Sequence, residues 1–489
     1  MGMRFVASYL MASTNTSAMN FADREFLLNR DLFIRSFKKP VTTKSTGLSW
    51  PHARNTWQAA TNYFTGVLKP GDGKHMQGLS NRMDTPQERL QRFITDSPWE
   101  HDAVQTHLIN TTPTRFDADD AILNVDGVAM LKDGTQSVGV GRQYAGCVGK
   151  VANCQVAVDL TLTVPGDTYN ANQLTWPLGM ELYLPEDWVS AEGYADRREA
   201  VELPDDISFR TKPQIALDLI NRARSSVSHA CVGGDTGFGD SRKFRAQLRE
   251  WNEPYILEVT TSELRVVPEQ TPIEYPEDYT GPGRTPTDPR YFEDVSASSP
   301  RELAEQIDNK DEEGSWTDLT WREGTKGDLS AKFARQRVRV VKDTQRRAVT
   351  EETGWLLLQK RDGEFKSWLC WGVDEWSLDR LALYAHQRWP VEQFHRESKQ
   401  ILGINDFQGR TWDGWHHHVT VVLLGYGFLS TERARSEKDE AGALPTLPEV
   451  ADTIGREHGI HYLVNELGMD RSLAEEAVTG LLRTLFGKT

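Results

Sequence analysis

Three carboxylates stand in settings that ordinary surface acids do not share. Asp126 interrupts the apolar run 121–130, Asp235 follows the apolar run 229–234, and Glu392 lies in a segment with helical periodicity. An unpaired carboxylate inside a buried strand is costly, so Asp126 needs a compensating partner there. Acids that converge from separate elements can bind two Mg²⁺ about 4 Å apart, as in-line phosphoryl transfer requires. The sequence therefore predicts metal-dependent chemistry on phosphodiester bonds at these three residues.

The predicted helix around Glu392 has one charged face and one apolar face. Residues three, four or seven positions apart share a helix face. The face of Glu392 also carries four basic residues, and the opposite face is apolar. The basic residues are Arg388, His395, Arg396 and Lys399, and the apolar ones are Val391, Phe394 and Leu402. Pro390 should kink this helix or restart it, because proline lacks a backbone donor.

The predicted elements that must position the acids follow one order. Three strands joined by short turns form an antiparallel meander, and a helix, a strand, a helix and a strand follow. In chain order these elements are 121–130, 137–144, 154–162, 213–225, 229–234, 244–251 and 255–260. This is the order of an RNase H-like α/β core with a mixed sheet, which is the fold class we predict.

The charge of the chain is unevenly placed. The formal net charge of −15 by itself speaks against a nucleic-acid ligand, because phosphate contacts need Lys and Arg. The segment 321–347, however, is rich in cations, and an acidic, Pro-rich stretch from about 267 to 315 precedes it. The cations there that we expect to bind DNA are Arg322, Lys326, Arg335, Arg337 and Arg339. The alternative for this segment is a solvated charged strand.

Other features of the sequence exclude several classes of protein. The 489 residues should form two or three domains, and no run of about eighteen apolar residues could cross a membrane. The opening segment 1–12 has a thin basic region, so we expect a soluble cytoplasmic protein without a signal peptide. The four dispersed cysteines are expected to be buried thiols. Three adjacent histidines, 416–418, point in different directions and should not share one metal ion.

Several stretches of the chain are similar to one known family of enzymes. They are NVDGVAMLKDGTQSVGVGRQYAGCVGKVANCQVAV, GGDTGFGD, WREGTKG, RWPVEQFHRESKQILG and TWDGWHHHVTVVLLGYGFL, and together they cover most of 121–429. Through them the chain resembles the DDE transposases of bacterial and archaeal insertion sequences, in the insertion-sequence-4-like superfamily and its 701-type branch. The helical stretch DTPQERLQRFITDSPWEHDAV is also similar.

The resemblance implies a role for each acid. The family places its first Asp on the first core strand, its second at an Asp-x-Gly-aromatic-Gly turn and its Glu after an Arg-Trp pair. These positions match Asp126, Asp235 and Glu392. The family also surrounds its Glu with Tyr, Arg and Lys. Arg388 and Lys399 keep the family spacing and are expected to hold phosphates beside the scissile bond, whereas Tyr384 lies one residue farther from Arg388.

The resemblance also implies a domain plan. We expect a helical N-terminal domain at 1–115, which binds DNA ends or serves packing or dimerisation. The RNase H-like core is expected at 116–261 and 375–430. It is interrupted by a strand-rich insertion at 262–374 that lies against DNA, and a helical region follows at 431–489.

The expected cofactor is Mg²⁺, for which Mn²⁺ can substitute. The expected partners are double-stranded terminal inverted repeats and target DNA, with a homodimer in the synaptic complex and a location in the cytoplasm at the nucleoid. Together these inferences predict cut-and-paste transposition, in which water frees a 3′-hydroxyl that then attacks target DNA. Two alternatives stay open. An RNase H-like nuclease would cleave without joining strands, and a domesticated or decayed protein would bind DNA without catalysis.

Overall fold

The computed structural model describes residues 53–486 except 70, 72, 167–171, 282–283, 311–314, 323–326, 439–441 and 466. The opening segment 1–12, much of the predicted N-terminal domain and Lys326 therefore lie outside the described residues.

The fold is mixed α/β, with helices around one large sheet. Helices α1 to α4 precede the first strand, at Ala53–Leu68, Met76–Met83, Gln87–Thr95 and His101–Asn110. Helices α5 to α10 lie between strands, at Glu186–Ser190, Ala195–Ala200, Lys212–Ala223, Thr236–Gly239, Arg242–Glu250 and Pro300–Lys310. Helices α11 to α15 follow the last strand, at Leu378–Ala385, Trp389–Gln400, Trp412–Arg435, Leu447–Asn465 and Arg471–Phe486.

The sheet has 13 strands in the described chain. Strands β1 to β6 are Ile122–Leu131, Gly141–Ala145, Lys150–Val164, Leu174–Tyr183, Cys231–Gly234 and Tyr255–Val259. Strands β7 to β13 are Val266–Pro268, Ile273–Glu274, Arg290–Tyr291, Thr317–Arg322, Leu329–Asp343, Ala348–Arg361 and Glu364–Trp371. The order is β10-β11-β12-β13-β6-β5-β1-β3-β2, and β4 also pairs with β3. The neighbours β1 and β5 are parallel, as are β5 and β6, and the other pairs are antiparallel.

The antiparallel meander has a shorter second strand than predicted and an additional strand, β4. The predicted strand 137–144 is reduced to β2, which pairs only with the start of β3. Along the rest of β3, the strand on the side opposite β1 is β4. The sequence pattern did not indicate β4, because Pro177 argues against a strand interior. The chain tolerates Pro177 because, among the described residues, β4 pairs with no strand other than β3, and the register shifts between Leu160 and Thr161.

A 3₁₀ turn at Gly146–Val148 joins β2 to β3, and we call residues 141–152 the β2–β3 hairpin. Cys147 lies in this turn and is exposed, so the expectation that all four cysteines are buried was wrong for this residue. The other three, Cys154, Cys231 and Cys370, are buried in strands.

The strands of the predicted insertion continue the same sheet. Strand β13 pairs antiparallel with β6, with Ser367 opposite Val259 and Trp371 opposite Tyr255. Strands β12, β11 and β10 follow outward from β13. The insertion is thus joined to the strands around Asp126 and Asp235 by continuous backbone hydrogen bonds. The boundaries at 261 and 374 stay predictions.

Pro390 restarts the helix that carries Glu392. Helix α11 ends at Ala385, and α12 begins at Trp389 with Pro390 in its first turn. Proline is tolerated there because the first helical N–H groups have no intrahelical acceptor.

Helix α13 is buried along most of its length and packs against β4 and the helices α1, α3 and α4. The adjacent His416, His417 and His418 are all buried in it. The ring nitrogens of His417 lie 2.6 and 2.8 Å from the carbonyl oxygens of Ile94 and Trp99, so this residue links α13 to the segment 94–99. Within the described ranges, no helix is both long and apolar enough to cross a bilayer.

Candidate active site

Asp126 on β1 and Asp235, directly after the end of β5, lie at the same level of two neighbouring parallel strands. In the β1–β5 pair Val125 is opposite Gly234, so the next residue along each chain is a carboxylate. Adjacent strands lie about 4.8 Å apart. The parallel pairing therefore brings together two acids that are distant in the sequence.

Burial sets the protonation behaviour of this pair. The Asp126 carboxylate is buried and accepts a hydrogen bond of 2.7 Å from the Gly127 amide. Burial raises the pKa of Asp126, although the charges of His395 and Arg388 partly offset it. Burial also raises the pKa of Asp235, and the nearby Asp126 carboxylate raises it further. Both carboxylates are thus short of compensating positive charge.

Asp235 is held by the turn that follows β5. Its Oδ1 accepts a hydrogen bond of 2.9 Å from the Gly237 amide and caps the single helical turn α8. Gly239 ends this turn against strand β6, where a Cβ would lie 1.9 Å from the carbonyl oxygen of Glu258. Glycine is therefore needed at 239 for close packing of the turn on the sheet, which fixes the position of Asp235.

The guanidinium of Arg388 joins the acids from different elements. Its Nη2 lies 3.0 Å from Oε1 of Glu392, and its Nε lies 3.5 Å from Oδ2 of Asp126. Its Nη1 lies 3.7 Å from Oε2 of Glu258 on β6. Burial lowers the pKa of Arg388, but the surrounding carboxylates, including Asp235, raise it overall. A fixed positive charge therefore stands where acids from β1, β6 and α12 converge.

One cavity of about 880 Å³ is lined by all three predicted acids. Its other charged lining residues are Lys212, Arg388, Arg396 and Lys399. Four cations thus face three acids in a chain whose net charge is −15. Burial lowers the pKa of both lysines, and Lys399 Nζ donates a hydrogen bond of 3.1 Å to the Ala129 carbonyl. The local charge of the cavity is therefore more favourable for binding a polyanion than the net charge of the chain is.

His395 lines the same cavity from α12. Its Nε2 lies 2.6 Å from Oδ2 of Asp159, which is fully buried on β3 directly opposite Asp126. The Oδ1 of Asp159 has no hydrogen-bond partner among the described residues. A buried carboxylate thus orients the imidazole next to the proposed metal ligands.

Three charged residues at or beside the cavity were missed by sequence reasoning. Glu258 interrupts the apolar strand β6 as Asp126 interrupts β1, and this signal was present in the sequence. Lys212 follows the helix cap Thr211, a position typical of ordinary surface residues. Asp159 gave no signal, because a polar residue in an alternating strand normally faces solvent, whereas β3 is buried on both faces here.

The predicted DNA-binding arginines of β11 do not line this cavity. Arg337 forms ion pairs with Glu269, at 2.6 Å, and with Asp374. Arg335 donates to the carbonyl oxygen of Trp376, and Arg339 donates to a carbonyl on β12. Contacts within the chain therefore engage all three side chains, and their role in DNA binding stays a prediction.

Arg322 on β10 lies next to the start of α12. Its guanidinium stacks 3.5 Å from the ring centroid of Trp389 and lines a second cavity of about 410 Å³. Tyr384, in contrast, lies outside both cavities, and its hydroxyl donates a hydrogen bond of 2.8 Å to the Asp120 carbonyl. Of the two, only Arg322 is placed to reach a ligand beside Glu392.

The three acids provide the oxygen ligands that a hard divalent cation prefers. As placed, no three His, Cys, Asp or Glu side chains in the described part of the chain are grouped closely enough to hold a metal ion. Glu392 instead forms an ion pair with Arg388. These carboxylate oxygens fit a divalent cation, and such an ion would supply the positive charge that Asp126 and Asp235 need. Glu392 can join them as a ligand only if its ion pair with Arg388 is broken.

Comparison with known proteins gives two matches. Residues 47–328 match the model of a family described as DDE superfamily endonuclease. The chain is also 30% identical over 196 residues to a protein of Microchaete diplosiphon described as a probable transposase for insertion sequence element IS701. That similarity covers 40% of this chain and 45% of the relative, so it spans less than half of either protein.

Proposed function

Since the chain belongs to the DDE superfamily of endonucleases, we propose that it is a DNA transposase acting on the ends of its own insertion sequence. The observation that carries the proposal is that Asp126, Asp235 and Glu392 line one cavity together with four cations. The family match includes both aspartates and ends at residue 328, before Glu392. The assignment of Glu392 therefore rests on its ion pair with Arg388, which also contacts Asp126.

The proposed catalytic core is RNase H-like. Strands β4, β3, β1, β5 and β6 are neighbours in that order, and the last three run parallel. An antiparallel meander extended by two parallel strands supports a core at 116–261 that is completed by α12 and α13 within 375–430. In this proposal the segment 262–374 is an insertion, and the helices within 1–115 and 431–489 flank the core.

Divalent metal ions are general to DDE endonucleases, and we assign Mg²⁺, replaceable by Mn²⁺, to the three acids of this chain. Bound there, such ions would activate the attacking oxygen and neutralise charge on the phosphate. Asp126 and Asp235 are held rigidly by the sheet and by backbone hydrogen bonds. Glu392 is more exposed, at the start of α12, and completes the set.

The DNA phosphates lie along the cations of the cavity in this proposal. Arg388 directly precedes α12, Lys399 lies on it, and Lys212 comes from the start of α7. Arg322 extends this positive surface beyond Trp389. The substrates are the double-stranded terminal inverted repeats and the target DNA, and two ends are held by a homodimer in the synaptic complex.

The test is strand transfer by the purified protein. A plasmid that carries the element with its flanking ends is incubated with target DNA and Mg²⁺, and excised and joined products are separated on gels. We expect both products from the natural protein and neither from Asp126→Asn, Asp235→Asn or Glu392→Gln, while fluorescence anisotropy shows that all four proteins bind the ends.

The same assay distinguishes the alternatives. Cleavage without joining would identify an RNase H-like nuclease. Binding of DNA ends without either product would identify a non-catalytic DNA-binding protein that retains the fold.

A further inference from the structure

Three large apolar side chains stand exposed in the β2–β3 hairpin. Tyr144, Val148 and Val151 are 64%, 41% and 50% exposed, and they lie within eight positions of one another. Tyr144 is directly opposite Val151 in the β2–β3 pairing, so the two side chains stand next to each other on one face. Clustered apolar side chains on an exposed strand pair are typical of a surface that another molecule covers.

The hairpin lies at the cavity of the three acids. Tyr144, Gly146 and Cys147 line this cavity together with Asp126 and Lys399. A Cβ built on Gly146 would meet nothing within 4 Å, so the tip of the hairpin is open there. A molecule that occupies the cavity and extends outward therefore meets the hairpin.

The charge of the hairpin favours a polyanion as that molecule. No Asp or Glu occurs between Asp133 and Asp159, although acids make up 71 of the 489 residues. Arg142 and Lys150 are exposed, one on each strand of the hairpin. Exposed cations without neighbouring acids attract phosphates and release their counterions.

We propose that the β2–β3 hairpin docks on the DNA end held in the cavity. Tyr144, Val148 and Val151 pack against bases beside the scissile phosphate, while Arg142 and Lys150 contact the flanking phosphates. The inference rests on the proposed function, because DNA in the cavity is its premise. Apolar side chains open base steps in several DNA-bending proteins, and stacking on an aromatic ring tolerates any base.

The test uses duplexes with the terminal sequence of the element and one 2-aminopurine at each position around the cleavage point. Ca²⁺ replaces Mg²⁺ so that binding is measured without cleavage. The hairpin variant combines Tyr144→Ser, Val148→Thr and Val151→Thr, which keep the strands but remove apolar surface. The matched control is Tyr275→Ser with Phe292→Ser, two exposed aromatic residues that do not line the cavity.

We expect the natural protein and the control to raise 2-aminopurine fluorescence at one or two positions. The hairpin variant should lose most of this rise and bind about tenfold more weakly, a difference of about 1.4 kcal/mol. Thermal melting establishes that the variant is folded, and the single substitution Val148→Thr, in the turn, gives the same test with less perturbation.

Three results would overturn the inference. A hairpin variant that binds the duplex and raises 2-aminopurine fluorescence like the natural protein leaves the transposase proposal intact and removes the hairpin from DNA docking. A variant with unchanged DNA signals but a smaller mass in light scattering shows that the hairpin contacts a second copy of the chain instead. If the natural protein itself neither binds nor cleaves the terminal sequence, the proposed function fails, and the docking inference falls with it.

Discussion

The Nε2 atom of His395 lies 2.6 Å from Oδ2 of Asp159, whose backbone is paired with that of Asp126. Burial lowers the pKa of His395, but the Asp159 carboxylate raises it more, and the net shift is upward. Asp126 adds to this rise, and Lys399 opposes it. The His395 imidazole therefore holds its proton more tightly than a free imidazole does, chiefly because of the Asp159 carboxylate that it contacts.

This relationship predicts how stability depends on pH. Because the folded pKa of His395 is raised, the pair stabilises the fold fully below the ordinary pKa of about 6.5 and less as pH rises through the folded value. The substitution His395→Gln should therefore cost about 1.5–3 kcal/mol near pH 6 and less near pH 9. Calorimetric unfolding between pH 6 and 9 measures the difference.

His386 provides the matched control. It is half-buried and stacks on Trp321, and its partial burial lowers its pKa to about 3, so it is neutral over this whole range. The cost of His386→Gln should not vary between pH 6 and 9. A cost of His395→Gln that is equally independent of pH would contradict the charged pair.

Two glutamates of α12 should respond differently to the same substitution. Glu392→Gln removes a proposed metal ligand and should reduce cleavage and joining at least ~10²-fold, while the DNA end is still bound. Glu397 is buried away from the cavity, where it accepts a hydrogen bond of 2.9 Å from the Tyr426 hydroxyl. Glu397→Gln should lower the melting temperature and leave single-turnover cleavage of the folded protein nearly unchanged.

Single-turnover kinetics and anisotropy on both variants check this prediction. Lys399→Ala should reduce both activity and end binding, because Lys399 is a proposed phosphate contact. Normal strand transfer by Glu392→Gln, with loss of activity in Glu397→Gln, would show that the wrong acid was assigned.

The arginines of the basic segment should separate into two groups. Arg322→Gln should weaken binding to all DNA sequences and reduce the salt slope by about 1, because the guanidinium lines a cavity next to Trp389 at the start of α12. Arg337→Gln should chiefly destabilise the fold, because it leaves Glu269 and Asp374 without their partner. Salt titrations of affinity, with melting curves, measure both effects.

Joint neutralisation of Arg335, Arg337 and Arg339 tests the original prediction for β11. Weaker binding and a smaller salt slope at unchanged stability would support direct phosphate contact by this strand. Unchanged affinity in a less stable protein would restrict the proposed DNA surface to the cavity cations and Arg322.

A buried ion cluster should be essential for attaching the inserted strands. Glu352 on β12 is fully buried, with Oε1 at 2.7 Å from Arg245 and 2.8 Å from Arg249 on α9. Glu352→Gln should cost about 3–5 kcal/mol, because two guanidinium groups lose their compensating charge in a dry environment. The neighbouring Glu351 is exposed, so Glu351→Gln should leave the denaturation midpoint within error. Similar midpoints for both variants would contradict this role.

Much of the candidate site could be predicted from the sequence because its signals are local. An acid within an apolar strand and a charged helix face indicated Asp126 and Glu392 as candidates, and both line one cavity. Their catalytic role stays a prediction. The apolar patterns also predicted the strands β1 and β6 to within one residue at each end, whereas β3 begins four residues before the predicted 154–162 and β5 begins two residues into the predicted 229–234. The expected family is confirmed, since the motifs that carry the resemblance include those around Asp126 and Asp235 within the matched range.

Only the tertiary structure showed which charged side chains line a cavity and which form ion pairs with other side chains of the same protein. Arg337 and Arg322 look alike in the sequence, yet Arg337 meets Glu269, a residue 68 positions away, whereas Arg322 stacks on Trp389 beside Glu392. The burial of Asp159 was equally hidden, because its partner His395 lies 236 positions away in the sequence. Local patterns report propensity and periodicity, but the partner of a charge is set by the long-range packing that brings remote side chains within a few ångströms.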